Sequence, residues 1–148
     1  MSFLRRHPVL ASALLASTLF LAAAPPALAD TVMMKVSTAT TAKAYRMDAA
    51  RHIYSAYPER IYKGKLPPLV HGIVVLEVDL DASGQLRRID LIRVPSHAPE
   101  VTEAVTKMIQ AASPMPAPAR MGGARFTEIW LVDKSGRFQL DALTEGQR

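Results

Sequence analysis

Residues 79–90, DLDASGQLRRID, hold oxygen-bearing side chains at the spacing of a twelve-residue calcium loop. Asp79, Asp81 and Ser83 fall at its first, third and fifth positions, Gly84 at the sixth and Asp90 at the twelfth. Such a loop needs a helix on each side, however, and the preceding residues GIVVLEVDL alternate apolar and polar like a strand buried on one face. Arg87 places a positive charge at the ninth position, where a ligand or water belongs. Asp90 is too short for the bidentate role usually filled by Glu. The same grammar, Asp-x-Ser-Gly, recurs at Asp133-Lys134-Ser135-Gly136 without the other acids. The two copies share a hairpin turn, in which Asp accepts from backbone N–H groups ahead of it and Gly takes a positive φ. A turn is therefore expected here, and no metal.

Other reactive combinations are sparse. His52, His71 and His97 fall on a helix face, before a strand and in a loop, with no His, Cys or acid placed beside them as a second ligand on the same element. The chain has no cysteine, no G-x-S-x-G elbow and no phosphate-binding G-x-x-x-x-G-K loop. Met121-Gly122-Gly123-Ala124 reads as a corner. Glu59, Glu77 and Asp79 offer carboxylates without a defined cleft. These observations favour a binding protein over an enzyme and imply no cofactor.

The elements that must carry these residues follow from periodicity. Tyr45, Ala49, His52, Ile53 and Ala56 recur at spacings of three and four, predicting a helix over 43–56 that stops at Tyr57-Pro58. A short helix or turn is expected at 59–62, before Lys63-Gly64-Lys65 and Pro67-Pro68 break the chain. Strands are expected at 72–80 and 86–94, with a bulge where the spacing slips between Leu86 and Ile89. Pro99 then opens a second helix. Its apolar face is Val101, Val105, Met108, Ile109 and Ala112. An extended connector at 113–118, a strand at 125–132, a turn at 133–136 and a short strand at 137–140 complete the order. The economical packing is α+β, with two helices on one face of a three- to four-stranded antiparallel sheet.

Bulk properties set the context. A chain of 148 residues, 49% hydrophobic and 21% charged, suits one domain. Arg5 and Arg6, an apolar run over 9–24, Pro25-Pro26 and Ala27-Leu28-Ala29 read as a secretory signal cleaved after residue 29. Residues 30–42 then form a flexible leader or short strand, and 43–148 the folded domain. Signal removal takes two arginines and no acid, lowering the formal charge from +5 to +3. That mild excess, concentrated only at Arg87, Arg88 and Arg93, does not suit a nucleic-acid binder. The expected product is a periplasmic protein without stable membrane insertion, held together by packing in place of disulfides.

Taken in order, Tyr57-Pro58, the strand Gly72-Ile-Val-Val-Leu-Glu-Val-Asp-Leu-Asp, the Ser83-Gly84 turn, the strand to Val94, the helix Val101 to Ala112 and the cluster Pro114 to Pro118 before a further strand resemble the carboxy-terminal domain family of TonB and related energy transducers. The resemblance covers about residues 57–133. It implies a stand-alone exported interaction domain that binds an extended segment of an envelope or outer-membrane protein at a sheet edge, largely through main-chain hydrogen bonds. The edge expected from it is Arg125, Phe126, Thr127, Glu128, Ile129, Trp130, Leu131 and Val132, or else residues 137–140, with Arg87, Arg88 and Arg93 beside it. The stretch from Asp30 to Tyr57 is too short, at ~3.6 Å per extended residue, to cross a periplasm, so energy transduction is not expected. A homodimer is left open. The alternative is a small ligand-binding protein or hydrolase with a pocket between the first helix and the sheet, using His52 or His71.

Overall fold

The computed structural model describes residues 35–147, so the expected signal segment and the first residues of the leader lie outside the described part. In chain order the elements are β1 (Val36–Ser37), α1 (Ala42–Ala56), a 3₁₀ turn (Pro58–Arg60), β2 (Gly72–Asp81), β3 (Leu86–Arg93), α2 (Pro99–Ala111), β4 (Ala117–Pro118), β5 (Gly123–Val132), β6 (Phe138–Leu140) and a second 3₁₀ turn (Asp141–Leu143). The class is α+β. Four antiparallel strands form the main sheet in the order β3-β2-β5-β6, and β1 and β4 make a separate parallel pair. The leader is thus partly built into the fold, with Lys35 O accepting from Ala117 N at 2.8 Å.

Strict alternation makes β2 the centre of the sheet. Val74, Leu76, Val78 and Leu80 are buried on one face, opposite Ala124, Phe126, Trp130 and Val132 of β5, and all ten residues of β2 pair with β5 from Gly72↔Val132 to Asp81↔Gly123. α1 packs against β5 and α2 against β2. Thr41 caps α1, its hydroxyl accepting from Ala44 N at 3.2 Å. Tyr45, Ala49, Ala50 and Ile53 form the buried stripe of α1, whereas Ala56, expected in it, is exposed. In α2, Pro99 occupies the first turn and Val101, Val105, Met108 and Ile109 are buried. Trp130 and Phe138, both fully buried with ring centroids 4.6 Å apart, close the core at the β5–β6 hairpin.

Two side chains of α1 and that of Tyr57, which follows it, fasten this region to α2 and the connector after it. Tyr45 Oη donates to Pro116 O at 2.6 Å and Tyr57 Oη to Met108 O at 2.9 Å. His52 Nε2 lies 2.8 Å from Ala112 O. Since a carbonyl only accepts, that nitrogen carries the proton. At the far end, the buried Gln139 amide donates to Tyr62 O and Gly64 O and accepts from Thr144 Oγ1 and Glu145 N. It joins the loop after the first 3₁₀ turn to the chain's last described residues.

Candidate functional site

The two Asp-x-Ser-Gly segments are hairpin turns of matching geometry. Asp81 Oδ1 accepts from Ser83 N, Ser83 Oγ and Gln85 N at 2.8, 2.6 and 3.0 Å. Asp133 Oδ1 accepts from Ser135 N, Ser135 Oγ and Arg137 N at 2.9, 2.7 and 3.0 Å. Gly84 and Gly136 sit at φ 82° and 79°. The Ser83 hydroxyl bond, followed by the backbone N–H groups, holds the Asp81 carboxyl below the usual aspartate range. The remaining acids of the calcium-like spacing are engaged elsewhere. Asp79 pairs with Arg125 across the sheet at 2.9 Å, and Asp90 with Arg88 at 2.9 Å. Among the described residues, no group of three or more His, Cys, Asp and Glu is arranged to hold a metal ion.

Of the residues expected to form an outer edge, 130–132 are covered by β6, while 125–129 have a strand partner only in β2. β5 is internal in the strand order, paired with β2 along its whole length and with β6 at Trp130, Leu131 and Val132. Phe126, Glu128, Trp130 and Val132 point into the core and are buried, Arg125 and Thr127 are exposed, and Ile129 and Leu131 are half-buried. β6 is outermost, as the alternative expectation had it. Its outer side is occupied, since Ile61 bridges Phe138 and Tyr62 N donates to Phe138 O at 2.9 Å. Arg87, Arg88 and Arg93 lie on β3, separated from β5 by β2. Local alternation encodes which face a strand buries, and leaves open which strand lies next to it.

Glu128 is the residue whose placement the sequence least suggests. The residue is 1% exposed within an otherwise apolar row. Oε1 accepts from Arg46 Nη2 of α1 at 2.6 Å and from Ile129 N at 3.0 Å. Arg46 Nη2 also reaches Asp141 Oδ2 at 2.8 Å. The bond to Glu128 is the main reason the Arg46 guanidinium is held more firmly protonated than usual, against the opposing effect of burial. An inward charge of this kind disfavours strand addition along β5.

Among the described residues β3 is an edge along its whole length. It pairs only with β2, through six of its eight residues, and it carries Leu91, Ile92 and, just beyond it, Val94, which are 49%, 61% and 46% exposed. The expected bulge is present, the register shifting so that Arg88 faces Asp79 and Leu86 faces Leu80. A second shift, between Val75 and Leu76, leaves Ile92 outside the ladder. Consecutive Leu91-Ile92 was the available signal, because adjacent strand residues cannot both face one core.

The space expected between α1 and the sheet is filled. Tyr45, Ala49 and Ile53 are buried there, and the Tyr45 ring packs 5.6 Å from Phe126. The clefts lie elsewhere, one of ≈ 480 Å³ between β1 and the outer flank of α1, with His52 in its lining, and another of ≈ 350 Å³ beside α2, lined in part by His71, Val101 and Met108. His71 Nε2 lies 3.1 Å from Glu100 Oε1, and His97 Nε2 donates to His71 O at 2.7 Å. The Glu100 carboxyl is held below its ordinary range, first by its own backbone N–H and then by His71. Comparison of the chain with protein-family models, curated proteins and solved structures finds no match in any of the three.

Proposed function

We propose that this chain is a non-enzymatic interaction module of the cell envelope, exported to the periplasm and similar to the TonB carboxy-terminal domain, that takes an extended partner segment alongside β3. The observation that carries this reading is an eight-residue strand with one side unpaired among the described residues and three large apolar side chains exposed at its end. An added strand satisfies main-chain groups that otherwise face water, and pockets or patches beside it select its side chains. Between the bulges, residues 88–91 keep a regular ladder. Arg87 and Arg93, which make no ion pair among the described residues, select an acidic segment, and Leu91, Ile92 and Val94 supply apolar contact where the ladder stops.

The full exported chain, tagged and incubated with envelope extract, is the direct test. Ile92→Asp combined with Val94→Asp is expected to reduce capture of its principal partner by roughly tenfold or more, equivalent to at least ~1.4 kcal/mol. Thr127→Asp on β5 serves as the control and should leave capture unchanged. Recovery of no partner by the wild-type chain, or loss of capture only with the β5 substitution, would overturn the assignment.

A further inference from the structure

We propose that α2 is a self-association surface, through which two copies of this chain pair antiparallel as a dimer. Between α2 and the turn at Pro58–Arg60 lies an open cleft of ≈ 400 Å³. Its α2 wall is one stripe along the whole helix, with Glu100, Glu103, Ala104, Lys107, Met108 and Ala111 at i, i+3, i+4, i+7, i+8 and i+11. Tyr57 and Arg60 form the other wall. Both are held by the frame of the fold, Tyr57 Oη donating to Met108 O at 2.9 Å and Arg60 Nη2 to Gly136 O at 3.0 Å. The middle of the stripe is low, because Ala104 ends at its Cβ and Met108 is buried.

The charges on this stripe fit a second copy of it. Glu103 and Lys107 are exposed, and neither makes an ion pair or a side-chain hydrogen bond among the described residues. Reversing the stripe about a point near residue 105 brings Glu103 of each copy against Lys107 of the other. One contact is then made twice, so the pairing closes on itself as a two-fold dimer. The reversal also sets the two helix dipoles antiparallel. A parallel arrangement would place acid on acid and lysine on lysine, so the charges select the orientation. Ala104 lies at the crossing, where a small side chain lets the helix axes approach to about 8–10 Å. An uncharged apolar segment would cover Glu103 and Lys107 without pairing them, and an anionic surface would be repelled by Glu100 and Glu103. No residue of β3 lines the cleft, so the dimer presents two free β3 edges and makes the module bivalent, whatever those edges bind.

Sedimentation equilibrium of the full chain tests the pairing. A monomer–dimer equilibrium is expected, with a dissociation constant on the order of 10–100 μM for contact along one helix face. Glu103→Lys brings positive charges together across the contact and Lys107→Glu brings negative ones together, so each should weaken self-association roughly tenfold or more. Combining both in one chain restores opposite charges and should return the dissociation constant to within about threefold of the wild type. An equimolar mixture of the two single variants should likewise form a heterodimer, a recovery that misfolding of either variant would not produce. A chain that stays monomeric up to about 1 mM, a dimer indifferent to both single substitutions, or losses that neither the combined variant nor the mixture recovers would each overturn the proposal. So would a dimer abolished by Ile92→Asp with Val94→Asp, since that places the contact on β3.

Discussion

Gly84 and Gly136 occupy matching turns, yet their surroundings differ. A Cβ on Gly84 would overlap the Met115 carbonyl oxygen, whereas one on Gly136 would meet only the end of the Arg60 side chain at 3.3 Å. Gly136→Ala should therefore cost about 1–2 kcal/mol, the strain of a left-handed residue. Gly84→Ala should cost more, roughly 3 kcal/mol, because the connector after α2 must also move. Urea unfolding of the two variants measures the difference. Asp81 adds a pH dependence whose sign is determined. Its folded-state pKa is lowered by Ser83 and the backbone N–H groups of Gln85 and Ser83, so its contribution is present above the unfolded aspartate range. It is lost as pH falls through the lowered folded value. Melting temperatures of Asp81→Asn measured between about pH 2 and 7 should show a flatter acid limb than the wild type.

Helix α1 is joined to the sheet by an ion pair as well as by its apolar stripe, and the two respond differently to mutation. Arg46→Met would leave the Glu128 carboxylate, 2% exposed at the side chain, without its cation, at a cost of about 3 kcal/mol. Combining it with Glu128→Leu removes the stranded charge and should restore most of that loss, as a double-mutant cycle by chemical denaturation will report. Such a pair is hard to read from sequence, since Glu128 alternates in register with Phe126 and Trp130 and nothing local assigns it Arg46. The strand spacing of 72–80, the bulge after Leu86 and the α2 stripe were legible because each depends on neighbours within a few residues. The β1–β4 pairing was not, since Val36-Ser37 and Ala117-Pro118 are too short to show a period and meet only through the tertiary fold.

Viewed as a whole, the molecule guards its sheet edges unequally. β6 is covered by Ile61 and Tyr62, and part of β5 by the inward Glu128, while β3 relies on two bulges and its arginines. The calcium-like spacing thus mattered as topology, because the hairpin it forms places β3 outermost. The candidate edge was assigned from sequence on chain order, which does not reveal that β6 folds back over residues 130–132 or that β3 forms the opposite edge. Ile92→Lys tests the present reading at this scale. With Ile92 largely exposed, folding stability should change by no more than ~0.5 kcal/mol, whereas partner capture should fall. Thermal unfolding and capture assays on one preparation separate the two effects.

The Gln139 amide also has a kinetic consequence. By joining residues 62 and 64 to residues 144 and 145, it makes two surface segments distant in sequence open and close as one cooperative unit. Amide hydrogen exchange should therefore show Leu66 N–H, bonded to Gly146 O, and Glu145 N–H, bonded to the Gln139 side chain, losing protection at a shared rate. In Gln139→Ala both should exchange faster, while the β2 amides remain slow.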